Sequence, residues 1–292
     1  MAEHARVFNL FCSQTAFVHR YGLSACSHTA PTPEALVRVK PTWMTVNDSA
    51  LLAAVADARL PFVIGEGNSV SCNGSAGVSD VFASALYAID ASLSALAVNV
   101  THFKWHGVGD ESDFFFYQPF YYPQRNCAPL AGTKPEIGPK RPQNTAIPGW
   151  DQAEPRPIFL GLWAFAEAVP VGSVILNTTI NTTGSDLLRA WAVIDAAGLQ
   201  TSVLILHKDS NATIAYARVQ SNSHCKSATL TRLLPGGGGL SARSGSTWAN
   251  LSFDGTRDGK PVGTRVSENV TCKSGGIFEF LVPPMSAAVL VF

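Results

Sequence analysis

The stretch Pro61-Phe62-Val63-Ile64-Gly65-Glu66-Gly67-Asn68-Ser69 decides how the rest of the chain is read. Phe62, Val63 and Ile64 form the short apolar run that a strand buried on both faces requires. Gly65 and Gly67 bracket one carboxylate. Glycine permits close backbone approach, so Glu66 is predicted to stand in a loop at the strand's exit with room for a ligand beside it. Upstream, Leu51, Leu52, Val55 and Leu60 recur at helical spacing over residues 49–60, with Asn47 or Ser49 as N-cap. Downstream, Val78, Phe82, Leu86, Ile89, Leu93 and Leu96 predict a longer amphipathic helix over residues 78–98. Ser79 and Asp80 are expected in its first turn, where the helix dipole favours them. Helix, buried strand, loop, helix is the repeating unit of an α/β barrel, whose chemistry gathers at the C-terminal ends of the strands.

Composition limits the function. The chain has 292 residues, 46% of them hydrophobic, enough for one large domain or two small ones. Charged residues make up 14%, and 21 basic side chains balance 21 acidic ones, which argues against nucleic acid as a partner. No apolar run reaches membrane-spanning length. Cys12, Cys26, Cys72, Cys127, Cys225 and Cys272 lack zinc-site spacing, so no metal or other cofactor is expected. Asn47, Asn73, Asn99, Asn177, Asn181, Asn211, Asn250 and Asn269 each open an Asn-x-Ser/Thr triplet. That density points to a secreted protein carrying N-glycans, in which disulfides are expected. Cys225–Cys272 is the preferred pair, and the pairing of the other four stays open. Residues 1–15 do not form a signal peptide, so the expectation is that a leader precedes this chain.

The Gly65-to-Ser69 string resembles the nucleophile motif of glycoside hydrolase family 79, the β-glucuronidase and heparanase-related family, in which a Gly-Glu-x-Asn-Ser string ends barrel strand 7. The resemblance implies that Glu66 is the catalytic nucleophile and that Asn68 helps shape the pocket. Residues 16–23, with His19, Tyr21 and then Cys26, are similar to the family's sixth strand. Side chains two apart share a strand face, so His19 and Tyr21 are expected to reach the site together. Residues 100–107 then correspond to strand 8, bringing His106 beside Glu66. Residues 108–157 are a long, Pro- and aromatic-rich loop. In the family such a loop contacts a glucuronate carboxylate, which makes Tyr117, Tyr121 and Tyr122 the candidates. The family's Tyr-rich string before Trp-Gln-Pro appears here as Phe114-Phe115-Phe116-Tyr117-Gln118-Pro119, a departure that bears on uronate recognition.

Residues 157–169 are apolar nearly all round, as a buried final barrel helix requires. After Pro170 short strands take over: 174–176, 188–194, 202–206, 213–219, 228–234, 276–282 and 287–292, with a hairpin turn over Asp195-Ala196-Ala197-Gly198. This half reads as a β-sandwich, and residues 278–287 are similar to the family's closing strands. Gly236–Gly239 reads as a flexible loop without the Lys-Ser/Thr of a phosphate loop. Neither Ser69 nor Ser71 lies in a Gly-x-Ser-x-Gly elbow.

The expected architecture is therefore the last three or so units of a (β/α)8 barrel over residues 1–170, followed by a β-sandwich over residues 171–292. A retaining glycosidase needs a second carboxylate about 5–5.5 Å from the nucleophile. The family carries it in an Asn-Glu motif on strand 4, and this chain has no such motif; Glu111 and Asp113 are the substitutes at hand. The expected function is that of a β-glucuronidase-like fragment recognising a β-glucuronide glycan, inactive alone. The alternative is a non-catalytic glycan-binding protein built on the sandwich and the aromatic loop.

Overall fold

A computed structural model describes residues 16–25, 30–39, 49–107, 116–121, 154–176, 178–181, 187–221, 226–256 and 258–292. The architecture is mixed α/β. Strands β1 (Ala16–Ser24), β2 (Phe62–Ser71) and β3 (Val100–Trp105) form a parallel sheet in the order β1-β2-β3. Among the described residues this sheet does not close on itself.

The central strand departs from expectation. It runs for ten residues, straight through Gly-Glu-Gly-Asn-Ser, so Glu66 lies within a strand and not in a loop beyond it. Two irregularities make this possible. The β1–β2 register shifts between Val18 and His19, and the β2–β3 register shifts between Ile64 and Gly67. A bulge of this kind re-aims side chains without ending the pairing. Gly67 is required by packing: a Cβ there would lie 2.7 Å from the Arg20 carbonyl oxygen and 2.7 Å from the Phe103 ring.

Helix α1 (Pro33–Arg38) is capped by Thr32, whose hydroxyl accepts from the Ala35 amide at 3.0 Å. Helix α2 (Ser49–Asp57) precedes β2 as expected. Helix α3 (Phe82–Ala97) starts four residues later than the periodicity predicts. Residues 75–80 form turns instead: the Val78 and Ser79 amides bond to Ser75, and the Asp80 carboxylate accepts from Gly77. Ser79 and Asp80 thus shape the approach to the helix and do not occupy its first turn. Nor is α3 amphipathic, being buried on every side from Phe82 to Ala95. Alanine and serine make a helix slim enough to be enclosed. On one side α3 meets helix α4 (Pro157–Ala168), and a Cβ on Gly161 would fall 2.2 Å from the Ala85 carbonyl oxygen.

The remaining strands are antiparallel. Short strands β4 (Phe120–Tyr121) and β5 (Glu154–Pro155) pair with each other. Then follow β6 (Val174–Leu176), β7 (Leu188–Ile194), β8 (Gln200–His207), β9 (Ala215–Gln220), β10 (Ser227–Leu234), β11 (Thr247–Trp248), β12 (Glu268–Thr271), β13 (Ile277–Val282) and β14 (Ser286–Val291). Seven form one sheet, ordered β11-β10-β14-β8-β7-β6 with β12 also on β10, while β9 and β13 form a separate pair. In β8, Val203 and Ile205 share a core with Val219, Phe278, Phe280 and Val282 of the small sheet, and Leu204 and Leu206 join the core built by α3 and α4. Alternate residues face opposite ways along a strand, so a sheet covered on both faces needs this unbroken apolar run. The hairpin turn forms as expected, with the Asp195 carboxylate accepting from the Ala197 and Leu199 amides. Gly236–Gly239 forms a turn packed at its first residue, where a Cβ on Gly236 would lie 1.9 Å from the Ser244 carbonyl oxygen, and open at Gly237, where a Cβ would meet nothing within 4 Å. No described helix is long and apolar enough to cross a membrane.

Candidate active site

Glu66 sits in the middle strand of the parallel sheet, with His19 of β1 opposite it in register and Tyr21 opposite Asn68. On the other side, the His106 amide donates to the Gly67 carbonyl at 2.9 Å, carrying the β2–β3 ladder one residue past Trp105. Tyr117 is brought in next to Phe116, whose amide donates to the Asn73 carbonyl at 2.9 Å. Four segments distant in sequence thus converge on one carboxylate.

The Tyr21 hydroxyl donates to Glu66 Oε1. It also lies 2.8 Å from His106 Nδ1, as does the Tyr117 hydroxyl. His106 Nδ1 is 3.3 Å from Glu66 Oε1, and His19 Nδ1 is 3.6 Å from Glu66 Oε2. The Glu66 side chain is 30% exposed, against 32% for His106 and 56% for His19, so the carboxylate is held from beneath and open at the rim. Burial, followed by the hydrogen bond to Glu66, pushes the Tyr21 phenol well above the usual tyrosine range. Burial also raises Tyr117, and the nearby Glu66 charge adds to the shift. Both phenols therefore keep their protons at neutral pH. Glu66 Oε1 faces Tyr21 and His106, and Oε2 faces the more exposed His19.

The other expected site residues fall out differently. Asn68 is fully buried: its amide donates to the His106 carbonyl at 2.7 Å and the Tyr117 carbonyl at 3.1 Å, so it shapes the pocket from behind. Tyr117 is 1% exposed, so its ring lies inside the site and does not present a face to solvent. Tyr121 pairs through its backbone with Glu154; its side chain, like Tyr122, Glu111 and Asp113, lies outside the described residues. Cys72 and Cys272 each take part in a disulfide, and Cys225, Cys12, Cys26 and Cys127 lie outside the described residues. Among the described residues no group of three or more His, Cys, Asp or Glu side chains is placed to hold a metal ion.

Two features escaped the sequence reading. The Tyr87 hydroxyl on α3 donates to the Asn68 carbonyl at 3.2 Å. Phe103 and Trp105 of β3 stack with ring centroids 4.5 Å apart, and Tyr87 meets Trp105 edge-on at 6.2 Å. The alternation of Phe103 and Trp105 along β3 was the available signal for a shared face.

No protein-family model matches the chain, and no curated protein matches it in sequence. Solved structures do match. A 4-O-α-L-rhamnosyl-β-D-glucuronidase from Fusarium oxysporum 12S, in complex with Rha-GlcA, superposes with a TM-score of 0.68 at 16% identity, over 96% of this chain and 53% of that one. A family 51 arabinofuranosidase from Xanthomonas axonopodis pv. citri gives 0.55 at 11% identity over 95% and 52%. An α-L-arabinofuranosidase from Thermotoga maritima, in complex with arabinose, gives 0.53 at 12% identity over 94% and 52%. The chain spans about half the length of these matched structures. At such identities the likeness speaks for fold alone: this chain has a glycoside hydrolase-like fold.

Proposed function

We propose that the chain is the C-terminal part of a retaining β-glucuronidase of the family 79 type: a partial (β/α) barrel over residues 1–170 and a β-sandwich over residues 171–292. Glu66 is the nucleophile, and His19, Tyr21, His106 and Tyr117 line its pocket, with Asn68 behind them. The observation that carries this reading is the environment of Glu66, a partly exposed carboxylate within a central parallel strand whose Oε1 accepts from Tyr21. A retaining mechanism asks for a carboxylate that is fixed, ionised and accessible on one side. The groups bonded to or ion-paired with Glu66 among the described residues are Tyr21, His106 and His19, and no carboxylate is among them. The rhamnosyl-glucuronidase likeness supports a β-glucuronide as the sugar. The sequon asparagines among the described residues, Asn73, Asn99, Asn181, Asn211, Asn250 and Asn269, are all exposed, which fits a secreted glycoprotein, with Cys225 as the proposed partner of Cys272.

The test separates the nucleophile from the acid. An aryl β-glucuronide whose leaving group departs without protonation should label the chain with one glucuronyl residue on the peptide containing Glu66, read by mass spectrometry. Glu66→Gln should abolish the label, and a glucuronide with a poor leaving group should show no turnover. No label, or a label that survives Glu66→Gln, would overturn the assignment. Tyr117 does not offer an exposed stacking platform, which counts against the non-catalytic glycan-binding alternative in its aromatic-loop form.

A further inference from the structure

We infer that Asn68 is a positioning residue, which holds the His106 imidazole and the Tyr117 phenol against Glu66 without itself touching a ligand. His106 and Tyr117 are eleven positions apart, and their side chains meet at one atom, His106 Nδ1, 2.8 Å from the Tyr117 hydroxyl. Their backbones meet at one side chain. The two N–H bonds of the Asn68 amide reach the His106 carbonyl at 2.7 Å and the Tyr117 carbonyl at 3.1 Å. The Asn68 Oδ1 accepts from the Ser69 amide at 2.7 Å, and its own backbone carbonyl accepts from Tyr87 of α3 at 3.2 Å. These partners fix the amide's orientation, since its nitrogen faces two acceptors and its oxygen faces a donor.

The position demands this residue type. Aspartate has the same shape but, when ionised, no donor. It would set a carboxylate against two carbonyl oxygens where the native side chain is 0% exposed, with no water to relieve the repulsion. Alanine removes both donors from the His106 and Tyr117 carbonyls. In either case the Asn68 ties to the His106 and Tyr117 carbonyls are cut while the His106 amide keeps its bond to Gly67, and the Tyr117–His106 contact loses its shared anchor. Glu66 lies two residues away on the same strand, so the anchor and the carboxylate move as one body.

The inference concerns the same pocket as the proposed nucleophile but depends on contacts alone. A failure to label Glu66 would leave it standing. The test uses the full chain labelled with 15N-histidine, at neutral pH, with the His106 Nδ1 resonance assigned by its loss in His106→Gln. Tyr117→Phe should shift that resonance in the otherwise native chain. In Asn68→Asp and in Asn68→Ala the response to Tyr117→Phe should be lost. His207, which is 2% exposed and bonded to the Thr213 carbonyl, serves as the internal control, and its resonance should stay in place. A full-sized response to Tyr117→Phe in either Asn68 variant, with His207 unmoved, overturns the inference. If Asn68→Asp does not fold, Asn68→Ala carries the test. If neither folds, Asn68 is a determinant of folding and the positioning role falls.

Discussion

Glu66 and Asp90 are each surrounded by three side chains, yet they have opposite fates. Asp90, on α3, is 2% exposed in its side chain. The Lys208 ammonium lies 2.7 Å from its Oδ2, Arg189 Nε lies 3.7 Å from its Oδ1, and the Trp191 indole donates at 3.2 Å. Glu66 is open at one side, and its partners are a phenol and two imidazoles. Two cations neutralise Asp90 and seal it, which suits a cross-link between α3 and the large sheet. A phenol donor and two imidazoles hold Glu66, with no lysine or arginine paired to it among the described residues, which suits a group that must react. The identity of the neighbours, more than the carboxylate itself, separates a structural acid from a chemical one.

The sharpest way to break this contrast is to remove each acid. Asp90→Ala leaves Lys208 buried without its partner, a change that typically costs about 3–5 kcal/mol. Urea unfolding should show that loss, while Glu66→Gln should stay within about 1 kcal/mol of the native chain, as changes at a partly open site do. Equal stability of Asp90→Ala and the native chain would remove Asp90 from its structural role.

A smaller effect tests how α3 is held. Gly161→Ala would press a methyl group 2.2 Å from the Ala85 carbonyl oxygen, backbone against backbone. Overpacking of this kind costs about 1–3 kcal/mol and should lower the melting temperature measurably. Gly107→Ala is the control beside the site, where the added Cβ would meet Pro119 Cδ at an ordinary 3.7 Å. It should change stability by no more than about 0.5 kcal/mol. If both substitutions behave alike, the contact between α3 and α4 is less rigid than its geometry requires.

The same contrast explains what the sequence could convey. A carboxylate between glycines after an apolar run is a local pattern, as is a His-x-Tyr pair on a strand face, so the Glu66 site was largely legible. The burial of Asn68 was not, because asparagine among glycines has the composition of a turn and its partners lie 38 and 49 residues away. Lys208 and Asp90 are 118 residues apart, and no local periodicity encodes their meeting. The enclosure of α3 was also hidden. Its large apolar residues recur at amphipathic spacing, and the alanines and serines between them carry little hydropathy although they permit the closest packing. Strands β11 and β12 are short and edge-like, below the length at which alternation is detectable.

The smallest effect concerns a third carboxylate, intermediate between the other two. Burial pushes the Glu167 carboxyl up, but the Arg265 guanidinium and the Trp248 indole outweigh it and hold the group below the usual carboxylate range. A depressed carboxyl contributes stability above its unfolded-state value and loses it as pH falls through the folded-state value. Glu167 is 32% exposed and Arg265 46%, so solvent screens the pair and its contribution is below about 1 kcal/mol. Arg265→Ala should therefore cost a small, measurable amount at neutral pH. The gap between variant and native chain should shrink as the acid protonates, towards zero once the pH has fallen below its depressed folded-state value. Urea unfolding at the two pH values measures both gaps. A gap that kept its size in acid would mean that Arg265 does not act through its charge on Glu167, and the likeness of this pair to the Asp90 cross-link would fall.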